Sequence, residues 1–438
     1  MSSSKKAFLF RLSGYLFLYL TVSHTYAQGF VSYFTGDTSN VNTNPVAGTV
    51  LMGGSTENDE AMKWWLEKAN GGDVLVIRAS GSNGYNDYLY SQLSLTVNSV
   101  ETIVFQNRQA SFNPYVKRRL AECEALWIAG GDQSVYANYW KNSPVDSLIQ
   151  YLVDIKKIPV GGTSAGMAIL GGVYFDAKNG SVTSQEALAN PFGSKVSIGR
   201  NDFLNIPFLS KTITDTHFDN PDRRGRLVTF LARLYTDSGS SFTAIASEEK
   251  VAVCIDNQGI ARVYGNSPIT EFAYFVQVNC ETDSLPEHCL SGEPLTWKRG
   301  NGALKVCKIG GTNTGANYFD LSEWITQSGG NWENWSAING VFTASGSSQT
   351  VCVTSSETIE DAILIEAYPN PVMDVIRVQS MDNIMQIRIF DPMGRVLQVN
   401  RPETNQFEIS VQHFPKGFYF LESIDQKGRS FNKKFQKL

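Results

Sequence analysis

From Gly48 to about Val253 the chain alternates short runs of consecutive apolar residues with stretches in which apolar positions recur at helical spacing. The runs are Gly48 to Met52, Asp73 to Ile77, Thr102 to Phe105, Ala125 to Ala129 and Ile158 to Val160. A strand that is apolar at nearly every position is buried on both faces, as in a parallel sheet. Between the runs, Asp59 to Ala69 and Pro114 to Glu124 have helical composition, and Val145 to Ile155 aligns Leu148, Ile149, Leu152 and Ile155 on one face. The pattern predicts an α/β fold: an open parallel sheet with helices on both faces. Its runs end in glycine or small polar residues, and such sheets bind ligands at the carboxyl ends of their strands.

Beyond about Cys254 the texture turns strand-like and aromatic. A Ser/Thr-rich stretch, residues 343–365, reads as a linker, and residues 366–438 as a small all-β sandwich with alternating runs such as Val375 to Val378 and Ile387 to Phe390. At the other end, Lys5, Lys6 and Arg11 precede the apolar run Leu12 to Val22, and Thr25 and Ala27 stand where a signal peptidase needs small residues. Residues 1–27 therefore read as a secretory signal peptide. Export changes the reading of the six cysteines, since an oxidising compartment permits disulfides. Cys280 and Cys289 are the nearest pair, and Cys123 and Cys254 read as buried small hydrophobes. Their spacing supports no metal site, and nothing in the pattern calls for a cofactor. With 37 Lys and Arg against 42 Asp and Glu, a net charge of -5 leaves no basic footprint for nucleic acid.

The sharpest chemical signal is Gly162-Thr163-Ser164-Ala165-Gly166, placed after an apolar run and before a helical pattern. A serine on a tight strand-to-helix turn is pushed clear of the backbone, and small neighbours leave room for a base and substrate. The Ala165 amide then points at a developing oxyanion. Of four histidines, His24 falls in the signal peptide, His413 in the C-terminal unit, and His288 in a polar segment. His217 ends the strand-like run Thr212 to Asp215 on the rim expected for Ser164. Glu248 and Glu249 are both open as the carboxylate that would fix the imidazole. Gly130-Gly131 ends another run and offers a second oxyanion amide, with Asp132 and Gln133 facing the substrate and a positive φ expected at a glycine. Arg223, Arg224 and Arg226 suit fork-like recognition of a carboxylate.

Together Gly130-Gly131-Asp132-Gln133, Gly162 to Gly166, Asp215-Thr216-His217-Phe218 and Arg223-Arg224-Gly225-Arg226-Leu227 resemble the cyanophycinase and aspartyl dipeptidase (peptidase E-like) family of serine peptidases. The resemblance covers about residues 46–310 within a catalytic unit of residues 28–342. It implies a flavodoxin-like or class I glutamine amidotransferase-like fold and cleavage at aspartyl or β-aspartyl residues. Carried over by motif, Ser164 is nucleophile, His217 base and Glu249 third member. Gly131 and Ala165 match the oxyanion positions, and Gln133, Asp215, Arg223 and Arg226 the substrate-side positions. The chain departs from the cyanophycinase pattern at Pro221, where an arginine is expected, and at Thr216, where a glutamine is expected. Residues 366–438, with Ala367-Tyr368-Pro369-Asn370-Pro371 and Gly417-Phe418-Tyr419, look like the sorting domain of type IX secretion cargo. The implied partners are a peptide or aspartyl-polymer substrate, the outer-membrane secretion machinery and a second copy in a homodimer, and the implied location is secreted or surface-attached. Two other readings stand beside the peptidase. One is an esterase or lipase-like hydrolase using Asp176 or Asp202 with His217; the other is a non-catalytic surface protein.

Overall fold

The computed structural model describes residues 29–282, 284–349, 366–391, 395–425 and 430–438. The expected signal peptide and residues 350–365 of the expected linker lie outside the described residues. β1 (Phe30–Gly36) and β2 (Gly48–Met52) precede α1 (Asp59–Glu67). There follow β3 (Asp73–Arg78), α2 (Gly84–Asp87), β4 (Ser99–Phe105), α3 (Pro114–Glu122), β5 (Ala125–Ile128), α4 (Gln133–Trp140) and α5 (Pro144–Tyr151), and then β6 (Pro159–Thr163) runs into α6 (Ala165–Ala168). The next segment carries β7 (Val173–Phe175), α7 (Ser184–Ala189), β8 (Ile198–Arg200), β9 (Thr212–Asp215), α8 (Arg224–Ser238) and β10 (Thr243–Ser247). It ends with β11 (Ala252–Ile255), β12 (Ile260–Tyr264), β13 (Phe272–Val278), β14 (Leu304–Gly310), β15 (Tyr318–Asp320), β16 (Gln327–Ser328), β17 (Gly330–Ile338) and β18 (Val341–Gly346).

Five strands form the expected parallel core, in the order β4-β3-β5-β6-β2. β1 closes one edge antiparallel, and β11, β12, β15 and β16 extend the other. Both faces are buried, as the unbroken apolar runs require. Val74 and Val76 of β3 pack with Trp65 of α1, while Leu75 and Ile77 pack with Val116 and Leu120 of α3 and Leu148 of α5. The helices begin at side-chain caps: Asn58 accepts from Ala61, Asn113 from Tyr115 and Ser143 from Val145. Ile155 departs from the expected helical face and is exposed, because after Tyr151 the chain widens into a π-helical turn that rotates it away.

A second sheet, not foreseen as a separate layer, has the order β18-β17-β14-β13-β10-β9-β7-β8. Its core gathers Phe230 and Leu231 of α8 with Trp297 and Trp335. β9 and β10 run parallel within it, with Asp215 opposite Ala246. Thr343 to Gly346, expected in the linker, instead complete β18, because the open edge of β17 pairs them up to Glu333 opposite Gly346. Cys280 is disulfide-bonded, but Cys289 is a free buried thiol, so the nearest pair is not a bridge. Cys123 and Cys254 are buried and free, and burial pushes the Cys123 thiol up to about 12.

The C-terminal strands are β19 (Glu366–Tyr368), β20 (Val375–Phe390), β21 (Val396–Asn400), β22 (Thr404–Ser410), β23 (Gly417–Asp425) and β24 (Ser430–Lys437). β20 pairs with β19 and β22 through its first half and with β21 and β23 through its second, with register shifts between. That change of partners folds the unit over a core of Val378, Ile387, Ile389, Leu421 and Phe435.

Close approach of the backbone at the β6–α6 turn generates a stability prediction. A Cβ at Gly166 would stand 2.0 Å from the Ile128 carbonyl oxygen, whereas at Gly84 nothing lies within 4 Å. Gly166→Ala should therefore lower the thermal midpoint by several degrees, overpacking costing about 1–3 kcal/mol. Gly84→Ala should leave the midpoint within error in the same melt.

Candidate active site

Two parallel strand pairs, one from each sheet, end at a common rim. In the first sheet Met52 lies opposite Thr163, so the residues after β2 and β6 emerge side by side. In the second, the register of β9 with β10 brings out His217 beside Glu248 and Glu249. The backbone of Gly53 and Gly54 joins the two. Met52 O accepts from Ser164 N at 3.0 Å, Gly53 O from His217 N at 2.8 Å, and Gly54 O from Lys250 N at 3.0 Å. Gly53 N donates to Val251 O at 2.9 Å.

Ser164 sits on the turn between β6 and α6 with φ 52° and ψ -118°. A left-handed φ on a non-glycine residue is strained, and here it holds the side chain out of the strand. Ser164 Oγ lies 2.8 Å from His217 Nε2, and His217 Nδ1 lies 2.7 Å from Glu249 Oε1. Such a chain suits proton transfer from hydroxyl to imidazole, with the carboxylate stabilising the imidazolium. The Glu249 amide donates to Asp219 Oδ1 at 3.1 Å, which fixes the acid's backbone. Of the two adjacent glutamates, Glu248 turns inward: its carboxylate accepts from Tyr274 Oη at 2.7 Å and from Phe272 N at 2.8 Å. Burial pushes its carboxyl above the ordinary range.

Gly131 and Ala165 flank the serine turn. A Cβ on Gly130 would stand 3.5 Å from Ser164 Cβ. Tyr136 Oη donates toward the carbonyls of Ala129 and Gly130, both at 2.9 Å, which holds the backbone just before Gly131. Among the described residues neither the Gly131 nor the Ala165 amide donates to a protein acceptor. Neither Gly130 nor Gly131 has the positive φ expected of the turn. Space is the constraint instead, a Cβ on Gly131 falling 2.5 Å from Tyr136 Oη. α6 has only four residues, so its contribution is the Ala165 amide rather than a long helix dipole. Asp132 caps α4 through Ser134 N at 2.8 Å rather than facing a substrate. Gln133 follows as the first, half-buried residue of α4.

Two expected substrate-side residues are used differently. Asp215 and Arg226 are both 3% exposed and pair with each other as a fork, Arg226 Nε reaching Asp215 Oδ2 at 2.9 Å. Arg226 also donates to Val182 O, and Asp215 accepts from Thr216 N. A buried, mutually satisfied pair has no free capacity for a ligand, so it anchors the His217 loop to α8. Arg224 is spent on Asp222. Arg223 remains half-buried, with one donor on the Thr216 carbonyl at 2.8 Å. Burial and the nearby Arg226 push its guanidinium below its ordinary value, opposed by Asp215, Glu249 and Asp219. The remaining candidates lie apart from this site: Asp176 binds Ser197 and Lys178, Asp202 binds Lys141 and Tyr174, and His288 pairs with Glu293. Among the described residues no cluster of His, Cys, Asp and Glu suits a metal ion, and no helix is long and apolar enough to cross a membrane.

The pattern missed Gly54. Its φ is 121°, and a Cβ there would stand 2.4 Å from His217 Cε1 and Nε2, so the imidazole lies against bare backbone. Only the paired glycines after an apolar run hinted at it.

This geometry belongs beside the comparisons with known proteins. The cyanophycinase of Nostoc sp. is 25% identical over 197 residues, 45% of this chain and 59% of the relative. That of Trichormus variabilis is 24% identical over the same length, and that of Geminocystis herdmanii 25% over 127 residues. The chain is thus similar to the cyanophycinases over part of its length. The chain spans 59% of the length of the first two relatives. Among solved structures, a peptidase from an acI-B1 actinobacterium aligns with TM-score 0.39 and 14% identity, covering 53% of this chain and 91% of that one. A putative peptidase E protein from Listeria monocytogenes aligns with TM-score 0.33 and 15% identity, covering 50% and 99%. Residues 366–437 match the family described as the secretion system C-terminal sorting domain. That domain indicates type IX secretion, and with it a secreted or cell-surface location.

Two substitutions separate support from chemistry. Arg226→Ala should lower stability by about 3–5 kcal/mol in denaturant unfolding, because it strands the buried Asp215 carboxylate. Gly54→Ala should leave the melting point nearer to that of the parent while displacing His217, which slows labelling of Ser164 by a serine-directed phosphonate.

Proposed function

We propose that the protein is a secreted serine-type peptidase of the cyanophycinase type, hydrolysing bonds at aspartyl or β-aspartyl residues. The observation that carries this reading is the continuous hydrogen-bonded chain from Ser164 through His217 to Glu249 at the carboxyl ends of two parallel strand pairs. The similarity to cyanophycinases and the sorting domain support it.

In this mechanism His217 Nε2 takes the proton as Ser164 Oγ attacks the α- or β-carbonyl carbon of the aspartyl residue. The oxyanion forms against the Gly131 and Ala165 amides, whose protons have no other acceptor among the described residues. His217, now an imidazolium held by Glu249, gives its proton to the departing amine. Water then follows the same route to release the acyl group from Ser164. Arg223, with donors to spare, receives a substrate carboxylate, and Gln133 hydrogen-bonds the substrate from the start of α4. The esterase reading loses its acid, since Asp176 and Asp202 are bound elsewhere.

The test is release of amino acids from cyanophycin and from α- and β-linked aspartyl dipeptides by mature protein. Activity on at least one of these is expected. Ser164→Ala should fold with an unchanged melting point and lose about 10³-fold or more of it. Wild-type rates in Ser164→Ala, or hydrolysis of simple acyl esters alone, would refute the assignment.

A further inference from the structure

The loop that carries Gly53 and Gly54 continues to Glu57, just ahead of the Asn58 cap of α1. Glu57 is half-buried and accepts a hydrogen bond from Tyr85 Oη, yet makes no ion pair among the described residues. Its carboxyl lies near the hydroxyl of Thr163, the residue immediately before Ser164. Thr163 is 4% exposed, and its Oγ1 has no hydrogen-bond partner. A buried hydroxyl left unsatisfied costs about 1–3 kcal/mol, a cost that a bound polar group would remove. Burial pushes Glu57 above the ordinary carboxyl range, opposed first by the Tyr85 hydroxyl and less by Arg78.

Tyr85 also meets Arg78, at the carboxyl end of β3. Its guanidinium lies 5.9 Å from the Tyr85 ring centroid and is steadied by the Ser80 and Ser82 carbonyls. Among the described residues it has no carboxylate partner, and its Nη2, which lies against Gly81, donates to no protein acceptor. The segment it steadies borders the oxyanion position, Ser80 Oγ lying 3.6 Å from where a Cβ on Gly131 would be. One anion and one cation, hydrogen-bonded to neutral groups and not ion-paired with each other, thus meet the same tyrosine, the anion next to the residue that precedes Ser164. A zwitterionic group suits such a pair, with a charge-assisted bond to each.

We infer that Glu57, Thr163 and Arg78 form a subsite for a free amino-acid head group, Glu57 and Thr163 taking the α-ammonium and Arg78 the α-carboxylate. This rests on the proposed aspartyl peptidase reading and narrows it. When an aspartyl residue is linked through its β-carbonyl and stands at an amino terminus, both α-groups are free and adjacent to the scissile bond. An α-linked aspartyl residue has no free α-carboxylate, and one inside a polymer has neither group free. The substrate class selected is the dipeptide or short peptide with an unblocked, N-terminal β-aspartyl residue.

The test is calorimetric binding to Ser164→Ala protein, with hydrolysis by wild-type protein measured in parallel. The ligands are β-Asp-Leu, its N-acetyl form, its α-amide and α-Asp-Leu. β-Asp-Leu should bind at least about tenfold more tightly than each of the other three, a preference of about 1.4 kcal/mol. Adding Glu57→Gln should abolish the penalty for acetylation and keep that for amidation. Arg78→Met should do the reverse, a reciprocity that general loosening of the site does not produce. Thr163→Val, which removes a hydroxyl with no partner, should weaken β-Asp-Leu severalfold without lowering the melting temperature. Equal binding of free and blocked forms, or equal weakening of all ligands by Glu57→Gln, would overturn the subsite. Hydrolysis with flat binding would leave the peptidase standing without the subsite, and the binding pattern without hydrolysis would leave the subsite standing without the peptidase.

Discussion

The backbone of Gly53 and Gly54 is the constraint on which the site depends. Its amides and carbonyls bond to the His217 and Val251 backbones and to Lys250, so that one short stretch stitches the end of the parallel sheet to the end of the second sheet. Ser164 and His217 belong to different layers, and a further tie between their elements runs from Thr214 Oγ1 of β9 to the Met167 carbonyl of α6, at 2.8 Å. The cost is that no side chain fits beneath the imidazole, which is why the stitch is made of glycine. Strain at Ser164, whose amide is held by Met52, is carried by the same junction.

Charge is divided between holding the rim and leaving groups available on it. Asp215 with Arg226 and Glu248 with Tyr274 are buried and saturated, and they lock the loops that follow β9 and β10. Glu249, Arg223, Glu57 and Arg78 are only partly engaged. In a protein that crosses to the cell exterior, the charged pairs that support the site lie inside the fold, where salt screens them little. The groups that face outward are those with unused hydrogen-bonding capacity.

The parallel core was legible because a strand buried on both faces leaves an unbroken apolar run, as at Val74 to Ile77. The serine turn and its histidine were legible because tight turns demand small residues at fixed places. The second sheet was not, since β14 and β17 set Lys305, Lys308, Asn331, Glu333 and Asn334 among their apolar residues and pair with strands separated from them by intervening loops. The choice between Glu248 and Glu249 turns on the direction of adjacent side chains after β10, which composition does not encode. Asp215 and Arg226 carried the right residue types for a carboxylate site, and only burial reveals that they satisfy each other. Gly54 was silent for the opposite reason: its contribution is an absent side chain.

The central claim is that Ser164 is a nucleophile activated by His217 and Glu249. Intact-mass spectrometry of mature protein treated with a serine-directed fluorophosphonate tests it most directly. The account predicts a single adduct that maps to Ser164, with labelling slowed by orders of magnitude in His217→Ala. An unlabelled but folded protein, or an adduct formed equally fast without His217, would contradict it.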